Sequence, residues 1–396
     1  MIKSSRPLAA RPTFASAALC IGLAFGATLP ASATWTLSNN LLSDSTNWTL
    51  KVSVSEQGIT ITGVAGGSGN LDLTDVKQDT NRKVVAIGDG ALKSAVTGIL
   101  APDVVSIGSQ AFRYNAVLVG DLSFPKLETL GTECFSYASK ITAIHAPKAV
   151  SVGYQAFIGC SALKTVEFGD DLKNIDNGAF SSLPLETVTL GASVTNIGDK
   201  AFNSCNKIVS FSPTAFPELR SLGEQALRST TIPAGFDFPR LETLGKGAFE
   251  SAHITAVNMP RITDVPEKAF NGCVSLSSVT LRGGGVLGGP SAFNLAPGAS
   301  INFLGAAPVS IANKAITVRW STDNYAQIRV KHAGFLDGWK NYANVPFTPM
   351  ESVSDDDKNK LGDCPPRRTQ GLIKGDGNTG WLIDADNQRQ TIISVR

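Results

Sequence analysis

A phenylalanine recurs through the middle of this 396-residue chain, as Phe112, Phe135, Phe157, Phe180, Phe202, Phe249, Phe270 and Phe293, with Leu227 in the one gap. Successive members lie 21 to 25 residues apart. Self-similarity at that period restricts the chain to stacked supersecondary units, none of which buries its apolar face alone. The array therefore extends one core from copy to copy, and a length that would normally divide into several domains needs no division.

One copy, taken from Cys160, reads Cys160-Ser-Ala-Leu163-Lys-Thr-Val166-Glu-Phe168, then Leu172-Lys-Asn-Ile175-Asp-Asn-Gly-Ala179-Phe180. The same frame returns from Cys273 through Leu276, Val279 and Leu281, and as Pro239-Arg-Leu241-Glu-Thr-Leu244-Gly245-Lys-Gly-Ala248-Phe249. The Val166-x-Phe168 step predicts a strand, because alternate side chains share one face and branched or aromatic residues suit that surface. A glycine follows the Ile, Leu or Val at Gly88, Gly108, Gly131, Gly153, Gly198, Gly223 and Gly245. It is expected to supply a tight turn at a place where a β-carbon would crowd the neighbouring copy. The Ala-Phe pair then offers one small and one large group for an internal ladder.

These residues resemble the BspA-like, or treponemal-type, leucine-rich-repeat proteins, whose signature is I-G-x-x-A-F followed by C-x-x-L-x-x-V-x-L. The matches are Ile107-Gly108-Ser-Gln-Ala111-Phe112, Ile197-Gly198-Asp-Lys-Ala201-Phe202-Asn-Ser-Cys205 and Ala269-Phe270-Asn-Gly-Cys273-Val-Ser-Leu276, within about ten copies over residues 83–300. The first copy, Ile87-Gly88-Asp-Gly-Ala91-Leu92, and the last, Gly289-Pro-Ser-Ala292-Phe293, are degenerate, as capping repeats are. The resemblance implies a curved, β-rich leucine-rich-repeat solenoid on a cell surface, in a family some of whose members attach to host or matrix proteins. The signature is structural and does not carry a ligand with it. The organisation expected is a leader at 1–33, an N-terminal β cap at 34–80, the solenoid at 81–304, a C-terminal cap at 305–350, and a polar linker with a β-hairpin tail at 351–396.

Lys3, Arg6 and Arg11 precede an apolar run from Phe14 to Leu29 and the Ala31-Ser32-Ala33 site, the order of a cleavable secretory signal cut after Ala33. A membrane anchor is the competing reading, and the run is short for a bilayer span. Cys20 lacks the leucine that precedes a lipid-modified cysteine. Beyond the leader stand 32 basic and 33 acidic side chains, which excludes the concentrated positive charge that nucleic acid or an anionic membrane requires. Secretion, or retention at a bacterial surface or in the periplasm, is the expected location. Of the remaining cysteines, Cys160, Cys205 and Cys273 each follow the repeating Phe by three residues, and Cys134 takes the Ala slot before Phe135. Disulfides suit an exported chain, but slots in separate copies predict buried thiols instead. Cys364 has no obvious partner, and none of the five has metal-ligand spacing.

Trp35-Thr-Leu37, Trp48 to Val54 and Ile59 to Val64 alternate like strands and predict a small β cap, with Gly66-Gly-Ser-Gly69 as a loop. The two tryptophans admit a carbohydrate-binding module, against the commoner use of such rings in packing. After Phe303, Ala315 to Trp320 reads as a last strand. Tyr325 to Trp339 has mixed helical spacing and resembles the short helix, closing on Trp339 and Tyr342, that ends family arrays. Glu351 to Gln370 reads as a linker, and Leu372 to Ile383 with Gln390 to Val395 as a hairpin. Asp376, Asn378, Asp384 and Asp386 offer oxygens for Ca²⁺ but match no calcium-loop spacing; solvated turns are the simpler reading.

No catalytic motif stands out. His145, His253 and His332 are scattered, none looking poised with an orienting group, and there is no G-x-S-x-G, H-E-x-x-H or phosphate-cradling loop. No cofactor is called for. Counting outward from the core positions, the exposed strand slots hold Asp121 and Ser123, Ala143 and His145, Thr165 and Glu167, Thr187 and Thr189, Ser210 and Ser212, Ala256 and Asn258, and Ser278 and Thr280. This small, polar stripe is the candidate binding face for an extended protein or glycan. Solvated sheet surface is the bland reading of each residue in it. A noncatalytic binding or adhesion protein is the expectation; a secreted glycan-processing enzyme or accessory module, and a structural envelope protein, are the alternatives.

Overall fold

The computed structural model describes residues 34–213, 216–232 and 235–295, and beyond them 300–304, 310–312, 315–318, 326–331, 347–349, 369–375, 378–385 and 390–395. The expected leader, Cys364, His332, the polar linker up to residue 368, the Trp339 and Tyr342 closure, and Asp376 and Asp386 lie outside these residues. The fold is a curved β-solenoid of mostly parallel, stacked strands.

Four antiparallel strands open it, Trp35–Ser38, Leu41–Asp44, Thr49–Val54 and Ile59–Gly66. The last pairs in parallel with Val84–Ile87 and so passes its register to the repeats. Trp35 and Trp48 are only 4% and 2% exposed, and the Trp48 Nε1–H donates to the Asn70 carbonyl at 3.0 Å. Both rings are core packing, and neither offers a face on which a sugar could stack.

Each repeat contributes to two ladders. Two-residue strands ending in the Ile, Leu or Val before the glycine, from Ser106–Ile107 through Thr243–Leu244, stack in parallel and in register. A second parallel sheet is built from Val119–Ser123, Lys140–Ala146, Thr165–Phe168, Thr187–Thr189 and Ser210–Ser212. Between the ladders the chain turns through the Ala-Phe pair. There the rings stack nearly parallel: Phe112 on Phe135 at 4.8 Å between centroids, Phe135 on Phe157 at 5.4 Å, Phe157 on Phe180 at 5.3 Å and Phe180 on Phe202 at 5.1 Å. These spacings are the strand separation repeated in side chains.

The turn differs from expectation in one respect. The signature glycines do not adopt positive φ, and their role is steric alone: a β-carbon on Gly153 would lie 2.7 Å from the Gly131 backbone, and one on Gly245 would lie 2.3 Å from the Glu224 nitrogen. The left-handed residues stand elsewhere, just before the Ala (Gln110, Glu133, Gln155, Lys200, Gln225) and two residues after the Phe (Tyr114, Tyr137, Ser182, Ser204, Ser229). Glycine takes this conformation at Gly90, Gly178 and Gly247 before the Ala and at Gly159 and Gly272 after the Phe, but most of the positions hold other residues, although the conformation costs an L-residue about 1–2 kcal/mol. The backbone supplies the reason. The N–H groups of Gln110, Phe112 and Tyr114 all point along the solenoid, to the carbonyls of Thr132, Cys134 and Ser136 at 2.8, 2.7 and 2.8 Å. Those of Ala111, Arg113 and Asn115 turn back on their own repeat. Left-handed residues on either side of the Ala-Phe pair produce that alternation, and the repeats of Phe112, Phe135, Phe180, Phe202, Leu227 and Phe249 each gain three inter-repeat hydrogen bonds from it.

The slot three residues after the Phe is also more than filler. Cys160 Sγ lies 3.1 Å from the Phe135 carbonyl, Cys205 Sγ 3.1 Å from Phe180, and Cys273 Sγ 2.8 Å from Phe249. Thr230 Oγ1 donates to the Phe202 carbonyl at 2.6 Å and Asn115 Nδ2 to that of Leu92 at 3.0 Å. In five repeats, then, this slot donates to the residue at the Phe position of the repeat before, Leu92 in the first case and a phenylalanine in the other four. Cys134, Cys160, Cys205 and Cys273 are all buried free thiols. Burial pushes each thiol pKa up, to about 12 for Cys205 and Cys273.

Toward the C-terminus the outward sheet resumes with Phe236–Asp237, Ala256–Met259, Ser278–Leu281 and Ser300–Phe303, followed by Ala326–Lys331. Ala326–Lys331 is thus a strand, where its spacing suggested the start of a helix. Its β-pairing with Ser300–Asn302 in parallel and with Gln390–Val395 antiparallel overrides the local pattern. Thr369–Gly375 and Asn378–Ala385 pair as a hairpin and join the same sheet.

Candidate functional site

The outward positions of the second sheet are set by its register. Because side chains alternate along a strand, burying Leu122, Ile144, Val166, Val188 and Phe211 turns their neighbours out. Parallel pairing aligns Asp121, Ala143, Thr165, Thr187 and Ser210 in one row, and Ser123, His145, Glu167, Thr189 and Ser212 in a second. Asp121, Ser123, Glu167, Ser210, Ser212 and Asn258 are exposed; His145, Thr165, Thr187, Thr189, Ser278 and Thr280 are half-buried; Ala143 is buried. Asn258, Ser278 and Thr280 fall in a different sheet, where Ala256 aligns with Ser278 and Asn258 with Thr280. The stripe is therefore two patches.

Three contributors escaped the sequence reading. Asp237, on the short Phe236–Asp237 strand, aligns with Asn258 and accepts a hydrogen bond from its Nδ2 at 2.8 Å. Its copy follows Leu227, the one position where the marker phenylalanine is missing, and so drops out of a count made from the rings. At the other end, Gly69–Asp72 pairs with Val96–Leu100, which lies against Val119–Ser123. Asp72 and Leu100 are both exposed there, Leu100 at 52%. The signal available in the sequence was the buried pair Leu71 and Ile99, one position before each.

Electrostatically the rows stand apart from the rest of the surface. His145 is not isolated: its Nδ1 lies 2.8 Å from Glu167 Oε2 on the next strand. The Thr142 hydroxyl donates to Asp121 Oδ1 at 2.5 Å, and the Thr74 amide and hydroxyl to Asp72 Oδ1 at 2.9 and 2.6 Å. Elsewhere carboxylates take cations from neighbouring repeats, Lys148 with Asp171 at 3.1 Å, Arg220 with Glu242 at 3.0 Å and Arg228 with Glu250 at 3.0 Å. Asp103 receives both Lys126 and Lys83, and their ammonium groups hold its carboxyl below the usual range. Lys164, at the edge of the rows, is paired with Glu186 at 2.8 Å.

Among the described residues no group of three or more His, Cys, Asp or Glu side chains is placed to hold a metal ion. No described helix is long and apolar enough to cross a membrane. What the rows offer chemically is a rigid array of hydroxyls, one imidazole and several carboxylates.

Among solved structures the chain is similar to a leucine rich cell surface protein of Faecalibacterium prausnitzii, with 19% identity over 78% of this chain and 97% of that one and a TM-score of 0.35. It is also similar to a leucine-rich repeat protein of Bacteroides ovatus, at 18% identity, 72% and 89% coverage and a TM-score of 0.39. A leucine rich repeat protein of T. pallidum gives 19% identity, 60% and 83% coverage and a TM-score of 0.28. No curated protein matches the chain. The family model for the BspA type leucine rich repeat region matches in six copies, at residues 87–209, 128–234 and 210–306, which together span more than half of the sequence. The chain belongs to the BspA type leucine-rich-repeat family.

Proposed function

We propose that this is a noncatalytic binding or adhesion protein, exported or held at a bacterial surface, whose ligand is an extended protein or glycan lying across the outward rows. The observation that supports this is the in-register alignment of Asp121, Thr165, Thr187 and Ser210 with Ser123, His145, Glu167, Thr189 and Ser212 on a backbone braced from behind by the ring stack. Such a face offers many modest polar contacts at fixed intervals, and a long ligand can collect them without ordering the protein. Membership of the BspA type family agrees with that role.

The test is a binding screen of the purified chain against matrix proteins, mucins and glycan arrays. Any ligand found is then measured against a variant carrying Thr165→Lys, Glu167→Lys, Thr187→Lys and Thr189→Lys. Loss of binding with unchanged thermal unfolding supports the placement. Undiminished binding removes the ligand from these rows.

A further inference from the structure

We infer that the ligand of this face is a cationic, extended polypeptide with a basic side chain at about every third residue. The inference rests on the binding role proposed above and names its partner. Carboxylates are partnered differently in two parts of the surface. Around the turns they meet Lys or Arg of adjacent repeats, as Glu242 meets Arg220 and Arg261, or accept backbone N–H groups, as Asp199 does from Glu224 at 2.7 Å. Along the outward rows Asp72, Asp121 and Glu167 are instead held by neutral or titratable donors, Thr74, Thr142 and His145. The threonine bonds fix Asp72 and Asp121 in place without cancelling their charge. No Lys or Arg occupies either of the two aligned rows, the exposed Lys140 lying at the start of its strand beside Val119, and Asp237 continues the same sign into the next sheet.

The resulting field is negative over a long, shallow face and attracts a cationic chain. Asp121 and Glu167 stand two paired strands apart, and Asp72 lies beyond Val96–Leu100, which packs against Val119–Ser123 without pairing with it. Two strand spacings are about 9.6 Å. A polypeptide in the extended polyproline II conformation returns a side chain to one side every three residues, an advance of about 9.3 Å. A strand-like ligand would repeat after about 6.8 Å and drift out of step. The carboxylates alternate between the two rows, an offset within reach of a flexible lysine side chain. Exposed Leu100, between Asp72 and Asp121, offers an apolar contact for the proline rings or lysine stems of such a segment.

The experiment uses the whole chain and synthetic peptides of equal length and charge with lysine at every second, third or fourth position in a proline background, together with a glutamate peptide of third-residue spacing. The third-residue lysine peptide should bind best, weaken as salt rises from 50 to 500 mM, and lose tenfold or more in affinity to Asp72→Asn/Asp121→Asn/Glu167→Gln. Equal binding of all lysine spacings overturns the register. Undiminished binding to the neutralised variant, or equal binding of the glutamate peptide, overturns the cationic partner. If the face is used but its ligand is not cationic, a hit from the screen is lost in the four-lysine variant and kept in the neutralised one. If the face is not used at all, every ligand binds both variants as it binds the wild type.

Discussion

The stack from Phe112 to Phe202 and the junction around Leu227 solve the same problem differently. In the stack each inner ring lies on two others at 4.8–5.4 Å, with planes within 18° of parallel. At the junction the ring is missing, and the space is taken from the strand side: Phe216 meets Phe236 edge-on at 5.5 Å and 87°, and Phe211 meets Phe202 at 5.6 Å. The stack then resumes, Phe249 on Phe270 at 5.3 Å and Phe270 on Phe293 at 5.2 Å. The backbone ladder never lapses, since Phe202 N–H still reaches the Ala226 carbonyl at 2.8 Å and Leu227 N–H that of Ala248 at 2.9 Å. The comparison teaches that the amide ladder sets the repeat and the rings fill it. A ring can be exchanged if its volume is supplied from elsewhere; emptying the slot is another matter. Phe180→Ala, with rings on both sides, should therefore lower stability by about 3–5 kcal/mol in urea unfolding. A loss below about 1 kcal/mol would mean that the stack is only a consequence of the strand spacing.

Leu227→Phe sharpens the contrast from the other side. If the junction were an unfilled break, restoring the ring would stabilise the protein. With Phe211, Phe216, Phe236 and Phe238 already in the space, overpacking by about 1–3 kcal/mol is expected. The donor slot behind the rings gives a smaller effect. Thr230→Val keeps the shape but removes the 2.6 Å bond to the Phe202 carbonyl, and should cost about 0.5–1.5 kcal/mol.

The thiols of the same slot add a pH dependence. Their folded pKa is raised, so between the ordinary thiol range and about 12 the unfolded chain binds fewer protons than the folded one. Stability is then complete below pH 8 and falls as pH rises from about 9 toward 12. Cys205→Ala/Cys273→Ala should make that alkaline decline shallower in chemical unfolding measured at several pH values. An unchanged slope would show that the decline does not come from these thiols.

How much of this was readable depends on which side of the backbone a residue serves. Buried repeating positions such as Phe180, Ala179 and Val166 are fixed by shape and recur visibly, so the solenoid and the two outward rows follow from counting. The left-handed positions do not, because Gln110, Lys200 and Ser229 bear the conformation for the sake of an amide's direction, and side-chain identity carries no mark of it. The donor role of Cys160 and Thr230 hides behind their size, two chemistries filling one slot. His145 and Glu167 come together, 22 residues apart, only once the register is exact. Asp237 and Asp72 escape the count, one in the copy after Leu227, where the marker ring is missing, and one in the strands before Val84.

The surface ion pairs give the smallest effect and separate the turn ladder from the outward rows. Glu242 sits between Arg220 at 3.0 Å and Arg261 at 3.5 Å, with all three side chains about half exposed. Water screens such contacts, and holding long side chains in place offsets part of the attraction, so Glu242→Gln should change stability by no more than about 1 kcal/mol. It should also leave binding of the lysine peptide unchanged, because the charge it removes is one already met by two arginines. Glu167→Gln removes a charge that no Lys or Arg meets, and it alone should weaken that binding. Equal loss from the two variants, measured side by side at low salt, would show that the peptide responds to net charge. The alignment of the rows would then have no part in recognition.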